Sequence, residues 1–398
     1  MHELPYWRLS GYYFFYFAFI GAFSPYFGLY LQSLSFSAWD IGLLLSQMQL
    51  MRLFAPYLWG ALADRLAQRV LIIRLAAVLS LLGFSSFFAI SSFTAMLIAM
   101  ALLAFFWSAA LPLVETVTFD HLRDEPGRYS RIRVWGSIGF IVAVMGTGAL
   151  LDRLPLPSLL WVIVATLSGI LLYALALPEV AAHTSADAQV TVASILRQSR
   201  VRALFAACFA MSAAHGALYV FYSIHLADHH YSTFLVGCLW SLGVLAEIVV
   251  FFFMAGLLRH FGLRRILLIS FSAAVLRFLL IGWCVDWLSL IVLAQLLHGL
   301  TFGAYHAATI AAVNRWFTGR SQARGQALYS SLSFGAGGLV GSLLSGWTWD
   351  AWGAAPTYAL SSAFALAGLV FVALWVRDSD FDLVGERGSV RVADRTCH

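Results

Sequence analysis

Five ionisable side chains interrupt runs that are otherwise apolar: Arg52, Glu115, Arg133, Glu247 and Arg277. A charge near the centre of a bilayer costs about 2.5–3.5 kcal/mol even on lenient scales, so each must face a cavity or a partner. The chemistry open to them is limited. A carboxylate takes up and releases a proton, and an arginine fork holds a carboxylate through two parallel hydrogen bonds. His215, His298 and His306 add imidazoles, which titrate near neutral pH. Helical spacing groups these residues. His215, Tyr219 and Tyr222 stand at i, i+4 and i+7, one polar-aromatic stripe. Gln295, His298, Thr301 and Tyr305 share a second face, with His306 at its margin. Donors, acceptors and flat rings of this kind suit a cavity for a small organic solute. Structural readings stand beside that one. Glu115 with Arg133, and Glu247 with Arg277, would also serve as ion pairs that only fix helix register. Arg133 suits an interfacial anchor, and Arg52, four residues before Pro56, suits the carbonyls freed at a proline kink.

Other chemistries lack their residues. The chain has no lysine, so all 24 cationic side chains are arginine and covalent lysine catalysis is excluded. Cys208, Cys238 and Cys284 fall inside apolar runs and Cys397 in a polar stretch, a spacing that fits neither a metal site nor a disulfide framework. No G-x-S-x-G, H-E-x-x-H or glycine-rich phosphate loop occurs. The expectation is a non-enzyme without metal or cofactor.

The elements that must position these residues follow from hydropathy. Hydrophobic residues make up 61% of 398 positions and charged ones 11%, more apolar surface than a water-soluble fold can hide. A span needs about 20 mostly apolar residues. Twelve are expected, near 9–32, 39–59, 70–91, 94–118, 131–151, 158–177, 202–226, 233–256, 265–284, 287–312, 324–346 and 356–376. The runs are too continuously apolar for barrel strands, which alternate with period two. The fold class is therefore all-α and polytopic.

Arginines collect in alternate loops, at Arg65 and Arg69, Arg123 to Arg131, Arg197 and Arg200, Arg259 to Arg265, and Arg315 and Arg320. Both termini share that side through Arg8 and through Arg377, Arg387, Arg391 and Arg395. The opposite loops carry Asp152, Asp228, Asp286 and Asp350, with Arg153 their only arginine. Both termini should thus be cytoplasmic, and the +5 net charge is an orientation signal rather than a nucleic-acid footprint. The polar stretch 178–200 reads as a linker between two six-helix bundles, 1–177 and 201–376, with 377–398 as a tail. The halves echo each other: Gly60 to Arg69 follows the second span, and Gly256 to Arg265 follows the eighth. Glycines crowd span eleven (Gly335, Gly337, Gly338, Gly341, Gly346) and span five (Gly136, Gly139, Gly146, Gly148), where small residues let helices approach and slide.

The turn Gly60-Ala61-Leu62-Ala63-Asp64-Arg65-Leu66-Ala67-Gln68-Arg69 resembles the G-x-L-x-D-R-x-G-R signature of the major facilitator superfamily, with Ala67 in place of the second glycine. The resemblance implies two pseudo-symmetric bundles and a gating role for Gly60, Asp64, Arg65 and Arg69. Within the superfamily the chain looks most like the branch of lactose permease and 3-phenylpropionate transporters. Pro112-Leu113-Val114-Glu115 followed by Arg131-Ile132-Arg133-Val134-Trp135-Gly136 matches that permease's order of a membrane Glu and then Arg-x-Arg-x-aromatic-Gly. Arg277 and Gln295-Leu296-Leu297-His298 match its intramembrane arginine and Lys-x-x-His. Gln295 departs where the permease has lysine, and Thr301 where it has the proton-releasing glutamate. The branch implies solute binding by Glu115 and Arg133 and draws in Arg277, Gln295 and His298 at matched positions; the polar-aromatic stripe adds His215 and Tyr219, and Glu247, Glu115 or His298 would carry the proton. The expected protein is a monomeric proton symporter in a bacterial inner membrane, importing a small solute such as an aromatic carboxylic acid. A sugar or nucleoside symporter is the alternative, and an efflux transporter or transporter-like sensor stands further off.

Overall fold

The computed structural model describes residues 4–122, 128–179, 193–318 and 321–377, and Asp64 through its backbone alone. Arg123, Arg320, Arg387, Arg391, Arg395, most of the 178–200 linker and nearly all of the 377–398 tail lie outside the described residues.

Lipid offers no partner for a peptide group, so apolar runs of this length must close their hydrogen bonds within a helix. The order is α1 (Tyr6–Ser33), α2 (Ala38–Leu66), α3 (Arg69–Ser85), α4 (Phe93–His121), α5 (Tyr129–Leu151) and α6 (Ser158–Ala176). The short α7 (Ala193–Leu196) precedes α8 (Ser199–Ala214), α9 (Gly216–Asp228), α10 (Thr233–Trp283) and α11 (Leu288–Leu296). Then come α12 (Tyr305–Trp316), α13 (Gln322–Ser330), α14 (Gly338–Trp352) and α15 (Ala354–Trp375). No strand occurs among the described residues. Serines start several helices: Ser37 Oγ accepts from Asp40 N at 3.1 Å and Asp40 Oδ2 from Ser37 N at 3.2 Å, a capping box that opens α2.

Among the described residues, ten helical stretches are long and apolar enough to cross a membrane. Two features separate that number from the twelve expected. α10 runs 51 residues, twice a span, and turns at Gly262, whose φ of 74° lies in the left-handed region that favours glycine. α2 is 29 residues long and carries Asp40, Arg52, Asp64 and Arg65, and it falls outside the ten.

Three spans are less regular than periodicity predicts. Span seven breaks at His215, between α8 and α9. Spans ten and eleven each contain a π turn, at Gly299–Ala304 and Ser331–Gly337. A π turn widens the helix and re-aims the side chains around it, and such turns concentrate at functional sites. Along span ten the side chains meet α10 in turn. Gln295 and Thr301 meet Arg277, and Tyr305 packs edge-on to Phe271 of the same helix at 5.7 Å.

Glycine sets the closest approaches. A Cβ at Gly139 of α5 would lie 2.1 Å from the Phe14 carbonyl oxygen of α1. A Cβ at Gly341 of α14 would lie 2.3 Å from the Ala213 carbonyl oxygen of α8. Both obstacles are backbone, so neither can rotate away. Gly139→Val should therefore cost at least the ~1–3 kcal/mol of an overpacked core, seen as loss of the monodisperse gel-filtration peak, while Gly146→Val, where a Cβ would meet nothing within 4 Å, should leave it intact.

Candidate functional site

The second half of α10 carries Arg277 into the protein with no exposure at all. Four of its five N–H groups have protein acceptors. Nε donates to Ala294 O at 2.8 Å and Nη1 to Thr301 Oγ1 at 3.0 Å, while Nη2 donates to Gln295 Oε1 at 3.4 Å. Nη1 also lies 3.3 Å from His215 Nε2. His215 Nδ1 sits 2.8 Å from Met211 O, and a carbonyl only accepts, so the imidazole proton is on Nδ1 and Nε2 takes the arginine hydrogen. That is a neutral histidine held in one tautomer beside a buried cation.

Glu247 does not pair with Arg277. Its Oε1 lies 2.6 Å from His298 Nε2, with both side chains largely buried, at 16% and 8% exposure. A single hydrogen lies between Nε2 and Oε1, in either of two arrangements. With Glu247 ionised, His298 Nε2–H donates; with Glu247 protonated, the acid donates to Nε2. His298 Nδ1 is buried and has no partner in either case. Gln295 is in the same condition, its Oε1 accepting from Arg277 while its Nε2 is buried without a partner. Phe302 stacks on His298 at 5.5 Å and on His306 at 5.8 Å, and His306 Nδ1 meets Tyr329 Oη at 2.8 Å rather than a backbone carbonyl.

The aromatic stripe of span seven packs beside these groups. Tyr219 lies nearly parallel to Trp240, ring centres 6.2 Å apart, and 6.0 Å from His215. Tyr222 Oη is buried and without a partner.

The first six helices hold a looser set. Tyr129 Oη donates to Glu115 Oε1 at 3.3 Å. One turn along α5, the Arg133 guanidinium lies 3.9 Å from the centre of the Phe17 ring and 5.9 Å from that of Tyr13. Among the described residues Arg133 forms no ion pair with Glu115, so the expected register pair gives way to a cation–π contact. Half-buried Arg52 likewise bonds none of the described carbonyls near Pro56.

Sequence reasoning missed two polar groups here. Gln49 Oε1 on α2 and Trp107 Nε1 on α4 are buried without partners, and Trp107 stacks on Tyr16 at 4.8 Å. Gln49 stands three residues before Arg52 inside an apolar span, which was a readable signal. Trp107 gave none, because an indole in an apolar run looks like packing. Thirteen buried side-chain polar atoms among the described residues lack a hydrogen-bond partner, and those of Gln49, Trp107, Tyr222, Gln295 and His298 are five of them.

The residues of the superfamily turn lie apart from this network. Arg69 Nη1 bonds Asp120 Oδ2 at 2.6 Å, joining the start of α3 to the end of α4. Arg65 is exposed, a Cβ at Gly60 would meet nothing within 4 Å, and the Asp64 side chain lies outside the described residues.

Comparisons with known proteins agree with this architecture. A protein described as a probable 3-phenylpropionic acid transporter of Escherichia coli (strain K12) is 27% identical over 352 residues, covering 86% of this chain and 91% of that protein. The maltose permease of Geobacillus stearothermophilus is 26% identical over 383 residues, covering 91% and 92%. The crystal structure of the nucleoside transporter NupG superposes with a TM-score of 0.82 at 18% identity, covering 94% of this chain and 99% of that one, a likeness of fold. The MFS_1 like family model matches residues 6–360, and with its helical, membrane-spanning architecture the chain belongs to that family, as a multi-pass membrane transporter of the major facilitator type and not an enzyme.

Proposed function

We propose that the chain is a proton-coupled importer of a small organic carboxylate, with an aromatic acid of the 3-phenylpropionate kind as the solute to try first. The observation that carries this reading is the 2.6 Å contact between Glu247 and His298 beside fully buried Arg277. Carrying an unpaired carboxylate through an occluded state is costly, and protonating Glu247 removes that cost. The balance of charge supports an anionic solute. Arg52, Arg133 and Arg277 outnumber Glu115 and Glu247 by one when the histidines are neutral. Arg277 spends its donors on protein acceptors and so acts by aligning Gln295 and His215, whereas Arg133 rests only on aromatic faces and is open to a carboxylate. Tyr219, with Trp240, gives an aromatic body a flat surface, and Glu115 sets the polarity beside Arg133.

The proposal places the protein as a monomer in a bacterial inner membrane with both termini cytoplasmic, from the arginine-rich loops. The bundles 1–177 and 201–376 rock about the central site, and Gly60, Asp64, Arg65 and Arg69 act in closing the cytoplasmic side. A second reading, a sugar or nucleoside symporter, draws on the unpaired Gln49, Trp107 and Tyr222 groups, which suit hydroxyl-rich neutral solutes, and on the maltose and nucleoside carriers among the similar proteins.

Uptake of radiolabelled 3-phenylpropionate into proteoliposomes tests this. An inward proton gradient should stimulate uptake, and Arg133→Gln should raise KM by about tenfold with kcat little changed, the loss of one charge-assisted contact. Competition by maltose or nucleosides but not by aromatic acids would favour the second reading.

A further inference from the structure

Five-residue stretches at or near the ends of α5 and α14 follow one pattern, Gly148-Ala149-Leu150-Leu151-Asp152 and Gly346-Trp347-Thr348-Trp349-Asp350. Each aspartate reaches the first turn of a helix from the other half of the chain. Asp152 Oδ1 accepts from Thr233 N at 2.7 Å and from Thr233 Oγ1 at 2.6 Å, and its Oδ2 accepts from Phe234 N at 3.3 Å. Asp350 Oδ1 accepts from Ala38 N at 2.9 Å, and its Oδ2 from Trp39 N at 2.8 Å.

The two contacts share a register. Ser232 and Ser37 are the N-caps of α10 and α2, and each gives its own Oγ to the third helical N–H, at Leu235 and Asp40. The aspartates take the first and second. Serine and aspartate together therefore satisfy three of the four N–H groups that a helix start leaves free. A carboxylate is the right group for this, with two oxygens for two neighbouring N–H donors and a negative charge at the positive end of the helix. Burial pushes the Asp152 carboxyl up, but the hydrogen bonds from Thr233, Phe234 and Ser232 outweigh it and leave its pKa below the usual value, so it is ionised at neutral pH.

Glycine brings the partners within reach in both copies. A Cβ at Gly148 would sit 2.4 Å from Thr233 O, and one at Gly346 would sit 3.0 Å from Ala38 O. Gly148 O itself accepts from Thr233 Oγ1 at 2.8 Å. Tyr26 Oη adds a bridge, donating toward Val144 O at 2.7 Å and Thr233 O at 3.1 Å. A Cβ at Gly60 or Gly256, toward the arginine-rich side, would meet nothing within 4 Å.

We propose that Asp152 and Asp350 are a pseudo-symmetric pair of latches that hold the periplasmic end of the transporter shut, each binding the start of a helix in the opposite half. Both must let go when the halves separate at that end, so they set the balance between inward- and outward-facing forms. The inference rests on the alternating-access reading above and is independent of which solute is carried.

Its test needs no solute, which separates it from a wrong choice of substrate. Full-length protein with Cys208, Cys238, Cys284 and Cys397 replaced by serine would carry spin labels at Ser33→Cys and Trp287→Cys, both exposed at this end. Pulsed dipolar distances would be read in nanodiscs. Asp152→Asn and Asp350→Asn should each move the equilibrium about tenfold toward a longer distance, and the double variant about a hundredfold. Asp286→Asn, which removes the same charge from the same end without a helix contact between the halves, should not. Should the double variant fail to fold, Thr233→Val keeps the carboxylate, deletes one bond to it and should still give a partial shift. Unchanged distances in a folded double variant or in Thr233→Val, or an equal shift in Asp286→Asn, would overturn the proposal.

Discussion

Glu247→Gln should abolish accumulation driven by a proton gradient while leaving solute exchange across the membrane nearly intact. The amide has the carboxylate's shape and retains one oxygen to accept from His298 Nε2, now 2.6 Å from Glu247, so the local packing survives. What it lacks is a proton to give up. On the proposed mechanism that proton neutralises the carboxylate during the occluded step, and without it the carrier still cycles with solute but gains nothing from the gradient. Gradient-driven uptake should fall by roughly 10²-fold or more, the usual scale for losing a proton-transfer group. Counterflow at equal pH on both sides should remain within about threefold, since it needs only binding and rocking. His298→Gln is the companion, removing the other partner of the shared proton. Full pH-driven accumulation by Glu247→Gln would remove this carboxylate from the mechanism, and Glu115 would be the next to substitute.

Arg277→Met should reduce both stability and transport, because the guanidinium serves four acceptors at once. Its removal leaves Ala294 O, Gln295 Oε1, Thr301 Oγ1 and His215 Nε2 without their donor in the buried interior. Each such orphan costs about 1–3 kcal/mol when nothing relaxes, and breaking a buried charged network typically costs about 3–5 kcal/mol in all. Thermal unfolding should therefore shift down by roughly 5–10 °C. Arg277→Lys keeps the charge but loses the planar fork, and one ammonium cannot span Ala294, Thr301 and Gln295 together. Lysine should restore part of the stability and less than a tenth of the uptake. An Arg277→Met protein that melts with the parent would mean that the helices repack around the gap, and that Arg277 matters for solute alone.

The order of the spans and the residues that deserve chemical scrutiny were legible in the sequence. Apolar runs of about 20 residues leave a chain in lipid only the helix, and a charge among them is costly enough to be conspicuous. The stripe of His215, Tyr219 and Tyr222 needed nothing beyond helical periodicity. Periodicity tells which face a side chain occupies; it does not tell what stands opposite. Only the tertiary structure put Glu247 on His298, 51 positions away, and gave Arg277 to Gln295, Thr301, Ala294 and His215. Only it set Arg133 over Phe17 instead of against Glu115. The π turns at Gly299–Ala304 and Ser331–Gly337 interrupt the regular helical register in a way that periodicity alone did not announce. Asp152 and Asp350 read as ordinary loop acids until the fold laid each on a helix start 81 and 312 residues distant. The cause is the same throughout. Local sequence fixes dihedrals and facing, within a few turns of helix. Partners between helices are chosen by how whole helices pack, and that depends on every close approach at once.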